Sequence, residues 1–173
     1  MSAAGALVGA TCGGVQAAIY GGRAARRSTP DPGLRGGAPV LRPMAPADVP
    51  GCVAISEPLP DRAPRLELEF FVYPTLVAEV DGVIAGYTQF TLTPDGTLHS
   101  LALRIGTAWK GQGLGGQLMA RKVELAKAAG ATTHIYAVAK DGEVALKKIL
   151  ERLGMHACQA RGGVVIYMQW LGE

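Results

Sequence analysis

Residues 109–119, WKGQGLGGQLM, place four glycines within the six positions 111–116. On one side lies TLHSLALRI (97–105), a β-forming run in which Leu101, Leu103 and Ile105 fall on one face of a strand. On the other side Leu114, Leu118, Leu125 and Ala129 recur at helical spacing. The chain must therefore pass from strand to helix through a turn made almost wholly of glycine. Glycine accepts positive φ and lets a ligand approach the backbone. Successive N–H groups at a helix start then point into one concavity, where the helix dipole adds to their attraction for phosphate oxygens. Tight packing of the turn against a neighbouring strand is the blander explanation for so many glycines.

Gly111-Gln112-Gly113-Leu114-Gly115-Gly116 matches GxGxxG. A dinucleotide site of that kind sits in the first βαβ unit and has an acid at the end of the following strand. Here three strands precede the loop, and the next strand, THIYAVA (133–139), runs into Lys140 with Asp141 beyond it. The triphosphate-binding pattern fails as well, because no GK[ST] follows. A phosphate-bearing cofactor of another kind remains.

The rest of the chain supplies the context. Its 173 residues suit one domain with additional length. Residues 1–27 form a Gly/Ala-rich apolar leader, uncharged from Ala3 to Gly22 and then carrying Arg23, Arg26 and Arg27. Basic residues follow the apolar run, the reverse of a secretory signal. Gly5, Gly9 and Gly13 recur every fourth residue, a spacing that lets helices approach closely. An arm docked on a partner, a transit peptide and a membrane-contacting segment all stay open. Residues 28–39 read as a Pro/Gly linker, and the compact domain as 40–173.

Within that domain VLRP (40–43) reads as a strand and Ala45 to Ser56 as a helix. LELEFFV (66–72) alternates like a strand, with a short helix as the competing reading. TLVAEVDG, VIAGYTQFTLT and TLHSLALRI form a meander turning at Asp81-Gly82 and Pro94-Asp95-Gly96. The helix Leu114–Ala129 carries Lys122 close to its apolar stripe, so that this lysine is expected to snorkel to solvent. A strand (133–139), a helix (142–153) and a hairpin (155–159 with 164–170) complete the chain. The expected fold is α/β: a mixed central sheet with an antiparallel meander, a β-α-β crossover and a C-terminal hairpin.

Composition excludes several classes. A net charge of +3 without a basic stripe argues against nucleic acid. Cys12, Cys52 and Cys158 are odd in number, form no CxxC, and show no ligand spacing with His99, His134 or His156. Neither a disulfide framework nor a metal site is expected. A reducing, cytoplasmic location follows, with membrane or virion association through the leader as the alternative.

The run LHSLALRIGTAWKGQGLGGQLM resembles the cofactor-binding segment of the GNAT superfamily of N-acetyltransferases, in which Arg/Gln-x-x-Gly-x-Gly/Ala opens a helix after a strand. Lys110-Gly111-Gln112-Gly113-Leu114-Gly115 fills that pattern with Lys in first place. VLRPMAPADV and LKKILERLGM are similar to the family's first strand–helix step and its later helix, so the likeness covers about residues 40–170. It implies acetyl-CoA as co-substrate. The pyrophosphate would lie on backbone amides of Gly111, Gln112, Gly113, Leu114, Gly115 and Gly116, with Lys110 adding charge. The pantetheine arm would lie on the main chain of Leu103, Arg104 and Ile105 like an added strand. The acceptor would be an amine, on a small molecule or on a protein N-terminus or lysine.

Acyl transfer needs a deprotonated amine, a stabilised oxyanion and a leaving thiolate. Family members often protonate the thiolate with a tyrosine on the later helix. The likeness puts Leu150 at that position, and Glu143 where an Asn is common. His99, Ser100, Glu69 and Tyr87 are the substitutes the sequence offers. The competing reading is a catalytically inactive GNAT-like structural or assembly protein, docked through its leader.

Overall fold

The computed structural model describes residues 37–56, 69–142 and 144–172. The leader, most of the linker, residues 57–68 with their acids Glu57, Asp61 and Glu67, and Glu143 lie outside the described residues. Strand β1 (Val40–Pro43) leads through a 3-10 turn (Pro46–Asp48) into helix α1 (Val49–Ile55). Strands β2 (Thr75–Val80), β3 (Val83–Leu92) and β4 (Thr97–Ile105) follow as the meander. A second 3-10 turn (Thr107–Trp109) precedes helix α2 (Leu114–Ala128), then come strand β5 (Thr133–Ala139) and helix α3 (Val144–Arg152). Strands β6 (His156–Arg161) and β7 (Val164–Trp170) close the chain.

The seven strands form one sheet in the order β1-β2-β3-β4-β5-β7-β6. Every neighbouring pair is antiparallel except β4 and β5. A parallel pair cannot be joined by a tight turn, so α2 makes the crossover. Asp81 and Gly82 both take positive φ, as the Asp-Gly hairpin signal requires. One face of the sheet buries Leu98, Phe90 and Leu103 against Leu114 and Leu118 of α2 and Leu150 of α3. The other packs Val77 and Tyr87 against Val49 and Cys52 of α1 and against Phe70.

The Arg-Pro/Asp pattern near the domain start has a structural use. Arg42 grips both carboxylate oxygens of Asp48 (2.6 and 2.8 Å) and reaches Glu79 of β2 at 2.6 Å. Asp48 also accepts the Ala45 N–H at 2.7 Å, which tethers the first helical turns to the sheet edge. That bidentate partner holds the Asp48 carboxyl below the usual carboxylate range.

One open sequence reading is decided and one expectation is corrected. The described part of the 66–72 segment, residues 69–72, is helical rather than extended, and Tyr73 N–H bonds the Glu69 carbonyl at 3.0 Å. Leu101 does not share a face with Leu103 and Ile105. Gln89 of β3 stands opposite Ala102 while Phe90 stands opposite Ser100, so Leu101 is the extra residue of a β-bulge. The bulge resets the alternation: Leu98, Ser100 and Leu103 face α2, and Leu101 is 43% exposed.

Candidate functional site

Beyond the bulge the two central strands part. β4 pairs with β5 only from Thr97↔Thr133 to Ser100↔Tyr136, whereas β5 pairs with β7 along its whole length, from Thr133↔Trp170 to Ala139↔Val164. The β4 edge from Leu101 to Ile105 thus has no strand beside it on the β5 side. A bulge bends the strand that carries it, which accounts for a wedge opening here. The exposed backbone of that edge is an acceptor for an extended, amide-bearing ligand.

The wide end of the wedge meets the glycine turn. Gly111 and Gly113 have φ of 77° and 78°, a conformation that side chains with a Cβ disfavour. Gly113 is the N-cap of α2, and no side chain caps the helix. The first amides of α2 are therefore open to an anion. Gly115 serves packing: a Cβ there would stand 3.1 Å from Ile149 of α3 and 3.5 Å from Leu103 of β4. At Gly116 a Cβ would meet nothing within 4 Å. Two glycines shape the turn, one admits close packing of α2, and one leaves space. Lys110 is exposed beside them, and the Gln112 amide bonds the Ala108 carbonyl at 3.0 Å.

Three of the candidate catalytic side chains, Glu69, Tyr87 and His99, lie on the α1 face. Tyr87 pairs with Arg104 and His99 with Thr91, so all four residues point to that side. The Tyr87 hydroxyl is 2.7 Å from Ser56 Oγ, and its ring meets Phe70 edge to face at 5.1 Å. Burial pushes this phenol up, with Glu69 a lesser contributor, so Tyr87 is a proton donor rather than a base near neutrality. Glu69 and Tyr87 are thus neighbours. His99 lies four residues further along the register, about 13 Å away. It sits between Thr91 of β3 and Ile135 of β5, inside the sheet rather than at an edge.

On the opposite face the fourth candidate, Ser100, joins Lys122 and His134 in a cluster the sequence did not bring together. Lys122 is wholly buried, which corrects the expectation that it snorkels. It lies on the α2 stripe with Leu114, Leu118 and Ala126, one and two turns from each. Its Nζ donates to Ser100 Oγ, contacts Met119 Sδ at 3.0 Å and lies 5.6 Å from the Tyr136 ring centroid. Ser100 Oγ is also 2.7 Å from His134 Nε2. Burial lowers Lys122 to about 7. Burial first, and then the neighbouring Lys122, lowers His134 to about 3. The signal was present, since Lys122 falls four residues after Leu118 and His134 alternates with Tyr136 and Val138. Helical and strand periodicity score apolar residues, and these positions hold polar ones.

Leu150 is fully buried in the same core as Leu114 and Leu118, so α3 offers no proton donor there. Among the described residues no group of His, Cys, Asp and Glu could hold a metal ion, and no helix is long and apolar enough to cross a membrane.

A model of the Acetyltransferase (GNAT) family matches residues 47–155, well over half the chain. The chain belongs to the GNAT acetyltransferase family. It is an acetyl-CoA-dependent N-acetyltransferase by that membership. Similar folds include the PaiA N-acetyltransferase of Thermoplasma acidophilum in complex with coenzyme A (TM-score 0.69, 12% identity, 78% of this chain and 99% of that one). An N-acetyltransferase from Staphylococcus aureus Mu50 gives 0.64 and 17%, covering 79% and 100%. The ribosomal-protein-alanine N-acetyltransferase of Brucella melitensis gives 0.61 and 20%, covering 76% and 99%. No curated protein sequence matches the chain. Nothing in the fold or these comparisons supports the alternative of a structural or virion component.

Proposed function

We propose that this GNAT enzyme carries the acetyl group of acetyl-CoA directly to an amine that enters from the α1 face. The pyrophosphate rests on the open amides from Gly111 to Gly116, with Lys110 beside it. The pantetheine arm runs back along the unpaired β4 edge, from Ile105 and Arg104 past Leu103, and brings the thioester to the bulge. An Arg104 Nη1 contact on the Leu103 carbonyl, at 3.0 Å, is made by an exposed side chain that can yield to the arm. A β4 main-chain N–H at the wedge stabilises the thioester oxygen as negative charge develops.

The acceptor is a primary amine of a small molecule, or a protein N-terminus or lysine. Glu69 and the Tyr87 hydroxyl line its side of the sheet. Gln89 stands opposite Ala102 with its Nε2 buried and without a hydrogen-bond partner among the described residues. Such an orphaned donor is costly unless a ligand completes it. His99, on the same face, is too far from Tyr87 to act on the same atom.

The observation that carries this reading is the separation of β4 from β5 beyond Ser100 and Tyr136, directly above an uncapped helix start. Calorimetric titration of acetyl-CoA into the full chain tests it. One-to-one binding is expected, and Gly116→Glu should abolish it, because the added carboxylate has room to form without distorting the helix. A folded wild-type chain that gives no binding, or unchanged affinity in Gly116→Glu, overturns the assignment. A thiol-release assay over a panel of amines then identifies the acceptor class.

A further inference from the structure

Where the leaving thiolate obtains its proton is open, because Leu150 occupies the position of the usual tyrosine. The buried Lys122–Ser100–His134 cluster lies at the place that needs a donor. With the pyrophosphate at the start of α2, the arm must run antiparallel to β4, from Ile105 back to Leu101. That edge is about 13 Å long, comparable to an extended pantetheine. Its far end is the vertex of the wedge, and the last paired residues before the vertex are Ser100 and Tyr136. Ser100 faces the α2 side, since it stands opposite Phe90, whose ring lies in the α2-side core. This is also the side from which Leu150 of α3 looks onto the sheet.

We propose that Ser100, reloaded by Lys122, is the proton donor to the departing coenzyme A thiolate, an inference that rests on the cofactor placement given above. Lys122 Nζ donates to Ser100 Oγ, so the serine's own proton is directed to His134 Nε2, which must accept. The imidazole then carries its hydrogen on Nδ1, the ring nitrogen with no partner among the described residues. Burial makes His134 a weak base, so it orients the hydroxyl without removing its proton.

In the step itself the acceptor nitrogen forms a bond to the acyl carbon and releases its proton to solvent. The carbon–sulfur bond breaks and its electron pair goes to sulfur. The Ser100 hydroxyl turns from His134 and passes its proton to the sulfur. A proton moves from Lys122 Nζ to Ser100 Oγ, leaving a neutral amine that regains a proton from solvent through the Ser100 hydroxyl once coenzyme A has left the wedge. Ser100 is the catalytic residue, while Lys122 and His134 are positioning residues acting through it.

The ionisable groups facing the Lys122 amine are His134 and Tyr136, both from β5. Ser100 approaches from β4, and Met119 lies on the lysine's own helix. Among the described residues no carboxylate pairs with it, and burial alone lowers it to about 7. Buried lysines without an anionic partner are rare as structural elements, because the charge is costly and an apolar side chain would fill the space.

The test compares kcat, KM and acetyl-CoA affinity of the wild type, Ser100→Ala and Lys122→Met, as full chains, from pH 5.5 to 9. Acetyl-CoA should bind all three within about twofold. In Ser100→Ala and Lys122→Met kcat should fall by about 10- to 100-fold, at or below the low end of general-acid catalysis (about 100- to 10,000-fold) because a thiolate leaves readily. The wild-type kcat should lose activity above about pH 7 as Lys122 gives up its proton, and Lys122→Met should lack that alkaline limb. Ser100→Ala changes one atom, so it decides the matter if Lys122→Met does not fold. Wild-type kcat in either variant, or an alkaline limb that persists in Lys122→Met, overturns the relay while leaving the cofactor site intact. Absence of acetyl-CoA binding by the wild type overturns the cofactor placement instead.

Discussion

Replacing Lys122 by Met should stabilise this protein near neutral pH and remove part of its pH dependence. The lysine amine titrates near 10.5 in an exposed chain and near 7 in the folded protein. A shift of that size corresponds to about 5 kcal/mol, at about 1.4 kcal/mol per unit. The folded value lies below the unfolded one, so between about pH 7 and 10.5 the unfolded chain binds more protons. Stability therefore rises with pH through that window, and below it the whole penalty for burying a cation is present. Methionine matches the shape of the lysine stem but forfeits the hydrogen bond to Ser100, a loss of about 1 kcal/mol. Lys122→Met should then be about 3–4 kcal/mol more stable than wild type at pH 7. Urea unfolding at intervals from pH 6.5 to 9.5 measures this directly. The advantage should shrink by more than 1 kcal/mol per pH unit in the upper part of the range. A constant offset between the two proteins, or a variant several kcal/mol less stable at pH 7, would refute the argument that Lys122 sits in a water-free site. A residue that costs stability and is nonetheless present beside the proposed reaction vertex fits a catalytic use.

The glycine turn separates by position. Gly116→Ala, helical and facing open space, should raise stability by about 0.5–1 kcal/mol, read as a higher midpoint in urea. Gly113→Ala, held at a φ of 78°, should lower it by about 1–2 kcal/mol, with Gly113→Asn less affected. Asp48→Ala removes a bidentate partner of Arg42 and should cost about 1.5–3 kcal/mol at neutral pH. Because Asp48 is held below its ordinary 3.8, its contribution is complete above that value and is lost as pH falls through the lower, folded one. The difference between wild type and Asp48→Ala should accordingly vanish in acid and persist at pH 7.

Much of the architecture was legible in the sequence because local signals and global topology agree. The Asp81-Gly82 turn, the Gly130 and Gly154 helix stops and the glycine start of α2 all have conformations their residues demand. The family likeness pointed to the main chain of Leu103, Arg104 and Ile105, but the wedge itself was not legible, since it depends on where β4 stops pairing, and pairing is a long-range property. The bulge at Leu101 explains why an apparently regular Leu-x-Leu-x-Ile alternation misled. Two residues of β4 oppose one of β3, and no periodicity reports that. Lys122 was misread for a related reason: a polar residue on an apolar stripe is ordinarily explained by snorkelling. Its buried partners, Ser100 and His134, come from strands 22 residues before and 12 residues after it. The 69–72 turn was undecided because Glu-Phe-Phe-Val satisfies both periods over so few residues.

In the proposed function the opened β4 edge and the uncapped start of α2 together hold acetyl-CoA. Hydrogen exchange of the full chain with and without acetyl-CoA tests it most directly, because both proposed sites are made of backbone amides. Slowed exchange is expected in two stretches, residues 101–106 and 111–117, with β2 and the β6–β7 hairpin unchanged. Protection confined to other segments, or none in either stretch at saturating acetyl-CoA, would contradict it.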